Sequence, residues 1–429
     1  TSLSFGILGA APVANAQFGG QAGFADSFRI EFLDRDLPLF VESLQLEDWQ
    51  RPIVESLLQI YQVQFTLGVE SVRDEMRSMT NKISTTRDDQ VMKMILEPLD
   101  QWNKQRAVYR QEFLTNIQAQ LSPDQIARWP HFQRTLRREK SLPKGEIMGE
   151  SIDLFLVSRN MRMPYEIQES LDPILMEYEI SLDIALENRD QRITSLQDQI
   201  KDAMSEMDFE KGLSAMDQIM SARVRVRQVQ DEYIQRIADM LPSDVGEQFE
   251  TTAMKKAYPK VYRPTPIEKL LESVREIPTL TEDQKNDLNE IETDFYIQLG
   301  GLEERLLQSY RINEPKEPRR KVQAMLDRRD GNRQIRQEPS EMDKMAAERN
   351  DLVFETRKRI LAVLSPEQIG SIPGSSRKDK AGRVERTKLP MGQPPPGSVA
   401  TPTGSGKVTP KFKGAPAGGK NDPERITPS

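Results

Sequence analysis

The side chains that carry most protein chemistry are scarce in this chain. Among its 429 residues there is one histidine, His131, and no cysteine. Thiol nucleophiles, thiolate ligands and disulfides are therefore excluded, and a transition-metal site needing several imidazole or thiolate ligands has nothing to draw on. One histidine also leaves acid–base work to carboxylates, and no nucleophile stands beside a base in a recognisable pattern. His131, within Trp129-Pro130-His131-Phe132, reads as a structural or solvated residue. Asp283, Glu290 and Glu292 could meet a hard cation, but no loop has EF-hand spacing, so a solvated acidic face is the better reading. Gly404-Ser405-Gly406-Lys407 resembles part of a phosphate loop. It lacks the first glycine, has Val408 where a hydroxyl is needed, and follows no strand. The expectation is a non-enzyme with no catalytic residue, no cofactor and no metal.

The chemistry the chain does carry is hydrogen bonding at helix ends. It reads Leu121-Ser122-Pro123-Asp124-Gln125-Ile126, Leu280-Thr281-Glu282-Asp283-Gln284 and Leu364-Ser365-Pro366-Glu367-Gln368-Ile369. Ser or Thr caps the free N–H groups of a helix start. Proline fits its first turn, an acid there favours the positive end, and Gln three residues on reaches back to the cap. Leu121 and Ile126 hold the two positions of a hydrophobic staple. The candidate site residues are thus Leu121, Ser122, Gln125, Leu280, Thr281, Gln284, Leu364, Ser365 and Gln368. A single capping box would mean little. Recurrence at regular intervals means more.

Those intervals define the elements. Leu46, Met163 and Leu280 each precede an amphipathic helix and lie 117 positions apart, while Leu121, Leu241 and Leu364 close each unit at spacings of 120 and 123. The units align without gaps through their first long helix: Val54, Leu171 and Leu288 share a column, as do Leu57, Ile174 and Ile291, and Tyr61, Tyr178 and Phe295. Upstream, Leu37, Leu154 and Leu271 match, as do Phe40, Val157 and Val274. Steps of three and four between columns are helical spacing. Reading back from the closing leucine, Phe113 and Ile117 match Tyr233 and Ile237; in the third unit Ile360 persists but Thr356 replaces the aromatic. A fixed period of this size marks tandem structural units. Each unit reads as short helix, long helix, turn, long helix, closing helix. Turns are expected near Thr80 to Asp88, near Asp208 to Gly212 and across Asn313 to Ser340, the last containing Pro315, Pro318 and Pro339 and reading as the least regular. The fold class is all-α: three tandem long helical hairpins of about 117–123 residues, followed by a disordered C-terminal tail. The boundaries are 34–144, 145–262 and 263–373 for the repeats.

The ends differ in composition. Residues 1–16 read as a signal-peptide remnant, with an apolar run from Leu3 to Val13 and Ala14-Asn15-Ala16 as the cleavage site; 17–33 reads as a linker. Residues 374–429 are rich in Pro, Gly and Lys and should be disordered. From Ser371 onward 11 basic and 4 acidic residues give +7, so against a total of −7 residues 1–370 carry −14. An acidic helical body bears a basic tail. Phe412 is the single aromatic there, which leaves base stacking little to work with, so no specific nucleic acid is expected.

Leu-Thr/Ser-x-x-Gln at both ends of a long hairpin, in a chain with an export signal, resembles the LTxxQ-motif periplasmic proteins, the Spy/CpxP-like family. The third unit matches best. The first closes with the motif but opens with Leu46-Glu47-Asp48-Trp49-Gln50, and the second departs at both ends, with Met163-Pro164-Tyr165-Glu166-Ile167 and Leu241-Pro242-Ser243-Asp244-Val245. Members of that family carry one unit, are cradle-shaped and often dimeric, and hold unfolding clients without ATP. The resemblance implies a periplasmic or secreted, non-enzymatic binding protein with chaperone-like action on unfolded or partly folded proteins, not membrane-spanning. The alternative is a structural scaffold of the cell envelope, tethered through its basic tail to an anionic envelope polymer.

Overall fold

The computed structural model describes residues 27–83, 88–206, 208–329 and 339–372. The signal-peptide remnant, most of the expected linker and the basic tail lie outside them. The described residues form helices and connections, with no strand among them. Repeat 1 contains α1 (Leu37–Leu44), α2 (Arg51–Ile83), α3 (Asp88–Gln118) and α4 (Pro123–Ser141). Repeat 2 contains α5 (Leu154–Asn160), α6 (Tyr165–Glu206), α7 (Phe209–Met240) and α8 (Ser243–Ala257). Repeat 3 contains α9 (Pro266–Arg275), α10 (Glu282–Asn313), α11 (Glu317–Arg329), α12 (Glu341–Val363) and α13 (Pro366–Ser371). In each repeat two long helices pair as a hairpin, α2 with α3, α6 with α7 and α10 with α12.

The recurring columns are the inward faces. Val54, Leu171 and Leu288 are buried, and so are Tyr61, Tyr178 and Phe295 one turn pair further on. Ile117, Ile237 and Ile360 meet them from the returning helix, each with no exposed surface. Thr356, which replaces an aromatic, is also buried. Each hairpin has its own apolar core, and repeat 1 fills its core with rings: Phe32, Phe40, Tyr61 and Phe113 pack with centroids 5.2–5.9 Å apart. Tilted and edge-on contacts of this kind add to the area they bury.

Two expected boundaries move. Residues 27–33 were expected to be linker, yet Phe32 is fully buried in the first core with Phe28 and Ile30 packed beside it, because the segment is too apolar to remain in water. The connection from Asn313 to Ser340 was expected to be the least regular, but it holds a 3₁₀ turn (Glu314–Lys316) and then α11. Pro315 and Pro318 occupy first-turn positions, where a missing N–H costs nothing. Val322 of α11 is buried against Leu213 and Met216 of α7, and Arg319 bonds Asp217 at 2.6 Å. Tertiary packing rather than local sequence makes this segment helical.

The repeats lie within one compact unit and meet through charged and apolar contacts. At the first joint α4 runs along α6, with His131 2.9 Å and Arg134 3.0 Å from Glu179, and with Arg137 on Asp183. The segment after α4 is anchored by Glu150, which has no exposed surface. Its carboxylate accepts from Arg189 (2.8 Å), from Arg223 (3.1 and 3.2 Å) and from the Glu146 and Ile147 N–H groups. Arg189 also donates to the Ser141 carbonyl at 2.7 Å. Arg189 stands in the repeat column of Val72 and Leu306, both buried and apolar. A buried ion cluster of this kind is tolerable only when every member is paired. Gly149, at φ +80°, lets the same segment pass Tyr258 and Arg227, where a Cβ would come within 2.7 and 2.8 Å of their atoms.

At the second joint Leu306 and Leu307 of α10 enter the core of repeat 2. Asp231 accepts from Tyr258 (2.7 Å) and pairs with Arg311 (3.1 Å), and Glu314 accepts the Met148 N–H at 3.0 Å. Burial pushes the pKa of both carboxyls above the ordinary carboxylate value, against the lowering effect of their hydrogen-bond donors and arginines. An acid raised in this way binds protons in the folded state where the unfolded chain has released them. Its stabilising share is complete below about pH 4 and is lost as pH rises through the raised folded value. The melting temperature of Asp231→Asn relative to wild type should therefore increase between about pH 4.5 and about pH 7.5. A constant difference would contradict the assignment.

Helices α2 and α3 approach closely at Gly68, where a Cβ would come within 2.2 Å of the buried Trp102 ring. The indole N–H is held by the Ser27 carbonyl at 2.6 Å, so the ring cannot simply turn away. Gly68→Val is expected to cost about 1–3 kcal/mol by overpacking, measured by urea denaturation.

Candidate functional site: helix joints and an exposed aliphatic face

The motif residues lie at the bases of the hairpins of repeats 1 and 3. Ser122, Thr281 and Ser365 are the N-caps of α4, α10 and α13, accepting from the N–H groups of Gln125 (3.3 Å), Gln284 (3.2 Å) and Gln368 (3.3 Å). Each glutamine Oε1 returns the bond to the cap N–H at 2.9, 3.0 and 2.8 Å. Leu121 and Leu364 are buried and Leu280 is partly buried against the third core, whereas Ile126 is 44% exposed.

Capping is only half of what the glutamines do. In repeat 3 the amides of Gln284 and Gln368 face each other, with Nε2 of each donating to Oε1 of the other at 3.0 and 3.1 Å. The second N–H of Gln284 reaches the Val363 carbonyl (2.8 Å), and that of Gln368 reaches the Thr279 carbonyl (2.9 Å). Both amides thereby fill all donor positions and accept twice. Repeat 1 builds the same clasp from Gln50 and Gln125: 2.9 and 2.8 Å between amides, 2.7 Å to the Gln120 carbonyl and 2.9 Å to the Gln45 carbonyl. Glu47 stands at the cap position, and its N–H donates to Gln50 Oε1 at 2.8 Å.

Repeat 2 solves the same contact without polar groups. Counting by the repeat period, Ile167 and Val245 take the glutamine positions, and both pack against the second core. Replacing both members of a hydrogen-bonded pair by apolar groups is nearly neutral, whereas replacing one leaves a buried amide unsatisfied. Sequence reasoning missed Gln50, because the missing Ser/Thr cap concealed it. Its signal was the position itself, 75 residues before Gln125 as Gln284 is 84 before Gln368.

The remaining candidates do not converge. Glu292 pairs with Arg275, while Asp283 and Glu290 are exposed. A cleft beside the segment 145–153 is lined by Glu146, Asp153, Lys256, Lys260 and Glu314, carboxylates and amines without a nucleophile–base pair.

The second feature is on the outside. Val63, Ile180 and Ile297 occupy one repeat column on α2, α6 and α10, and are 58%, 45% and 70% exposed. Ile60, Val63 and Leu67 line one face of α2, and Met176, Ile180 and Ile184 one face of α6, all at least 45% exposed. Spacings of three and four make each set a continuous row. Single exposed aliphatics need no explanation, but rows on two helices that share a column with Ile297 on a third do.

The clasp yields a direct test. Gln125→Leu should lower stability by about 1–3 kcal/mol by stranding Gln50 and the Gln45 carbonyl, and Gln50→Ile with Gln125→Val, the repeat 2 solution, should recover most of that. Additive effects of the two single substitutions in urea titrations would refute the clasp. Compared with family models, with characterised proteins and with solved structures, the chain matches none.

Proposed function

We propose that the protein is an exported, non-enzymatic binding protein that holds unfolded or partly folded polypeptides by weak apolar contact, as its resemblance to the LTxxQ-motif periplasmic proteins implies. The observation that carries this reading is the exposed aliphatic column Val63, Ile180 and Ile297. Packing does not require these residues: their side chains stand in solvent while neighbours two positions away, such as Tyr178 and Phe295, form the core. Covering one half-exposed aliphatic side chain contributes on the order of 1 kcal/mol. A row of three, less the cost of association, gives loose and adaptable binding. No helix among the described residues is long and apolar enough to cross a membrane, so the rows are not parts of a spanning segment.

Wild-type protein at equimolar ratio should suppress the aggregation of several chemically denatured model proteins, followed by light scattering. The triple variant Val63→Ser, Ile180→Ser, Ile297→Ser should lose most of that effect while keeping its melting temperature within a few degrees. No suppression by the wild type, or full suppression by the triple variant, would sink the reading.

A further inference from the structure

The exposed column has a companion. Seven residues after Val63, Ile180 and Ile297 come Glu70, Glu187 and Glu304, all exposed. Two helical turns, about 10.5 Å, separate the aliphatic and the carboxylate on one face. The three repeats have diverged even at some buried positions, Val72, Arg189 and Leu306 being one example. A surface pair that recurs in all three while a core column does not is unexplained by packing.

Repeat 2 shows what the carboxylates beside such a face accept, while Met176, Ile180 and Ile184 themselves stay exposed there. The flank of its row is Glu179, Asp183, Glu187 and Asp190, and α4 of the preceding repeat lies along it. That helix contributes Arg134, Arg137 and Arg138, cations at helical spacing, with Arg137 3.6 Å from Glu187 and Arg138 3.7 Å from Glu179. A cationic amphipathic helix is therefore already seated on the opening helix of one repeat. On the corresponding positions of repeats 1 and 3, Thr66 and Glu70, and Tyr296, Gly300 and Glu304, are exposed. A Cβ built on Gly300 or Gly301 would meet nothing within 4 Å. Glu70 and Glu304 form no ion pair with any described residue; Glu304 only accepts from Gln308 on its own helix, at 3.0 Å.

We propose that the faces Val63–Leu67–Glu70 of α2 and Ile297–Gly300–Glu304 of α10 are equivalent docking sites for a cationic amphipathic helix of a bound polypeptide, whose cations meet the carboxylate as Arg137 of α4 meets Asp183 and Glu187 of α6. The proposal rests on the binding function above and names its preferred partner: a chain segment with aliphatic residues on one side and Lys or Arg about two turns away. The net charge of −14 over residues 1–370 draws such segments in, and two equivalent faces on one chain raise the affinity for partners carrying two helices.

The test uses the full chain and three labelled 18-residue peptides in fluorescence anisotropy: a Leu/Lys sequence patterned as an amphipathic helix, the same pattern with Glu for Lys, and a Leu/Lys scramble of equal charge. The patterned Leu/Lys peptide should bind at least tenfold more tightly than either control. Val63→Ser with Ile297→Ser, and separately Glu70→Gln with Glu304→Gln, should each weaken it at least fivefold. Glu55→Gln with Glu282→Gln removes the same charge elsewhere and should change it less than twofold. Equal binding of patterned and scrambled peptides, or equal loss in the control variant, would overturn the proposal by reducing the effect to general charge attraction. A change of oligomeric state in the Val63→Ser, Ile297→Ser variant by sedimentation, without loss of peptide binding, would overturn it in favour of a second copy covering these faces. If aggregation suppression survives while the peptides are indistinguishable, the general binding function stands and this inference alone fails.

Discussion

The structure depends on how it satisfies the ends of its helices where they meet. At the base of each hairpin a helix begins beside the place where another begins, and backbone groups from both would be buried without partners. A buried N–H or carbonyl left unpaired costs about as much as several apolar contacts provide. In repeats 1 and 3 two glutamine amides resolve this by bonding each other, their own caps and one carbonyl across the joint. The clasp ties residues 75 to 84 positions apart, fixes the register of the hairpin, and so fixes which faces of the long helices point inward. In repeats 1 and 3 that register leaves the row on α2 and Ile297 on α10 facing outward.

Repeat 2 exchanges polarity between its two critical places. Its joint is apolar, with Ile167 and Val245, while its mid-hairpin column carries Arg189 in place of Val72 or Leu306. The arginine is needed because the segment after α4 enters there and brings Glu150 into the interior. Glu150 ties the connection to both long helices of repeat 2 through Arg189 and Arg223, while Arg189 reaches back to Ser141 at the end of α4. Charge that would be costly in a lone hairpin here holds neighbouring repeats together. The middle repeat is thus specialised for its neighbours, and the outer repeats keep the polar clasp.

Much of this was legible in the residues. The columns Val54, Leu171, Leu288 and Tyr61, Tyr178, Phe295 recur at helical spacing, and helical spacing maps directly onto one face. The caps at Ser122, Thr281 and Ser365 were legible because capping is local, spanning three residues. Gln50 was not, since it lacks a local cap and its partner lies 75 residues away. The helix α11 was hidden for a similar reason: prolines and charge predict an irregular segment, while Val322 and Arg319 find partners on α7 that no local pattern announces. Phe32 was assigned to a linker because a short stretch of mixed residues gives no period to read.

By itself, then, the sequence determined the all-α class, the periodic columns and the caps, all of which follow from spacing along one chain. Only the tertiary structure decided that the motif glutamines face one another, that repeats join through α4 on α6 and through Leu306 and Leu307, and that Val63, Ile180 and Ile297 stay in solvent. The physical reason is that an amphipathic pattern states which residues are apolar but not which apolar residues find a neighbour. Val63 and Phe65 read alike in the sequence; the partner helix covers Phe65 and leaves Val63 exposed.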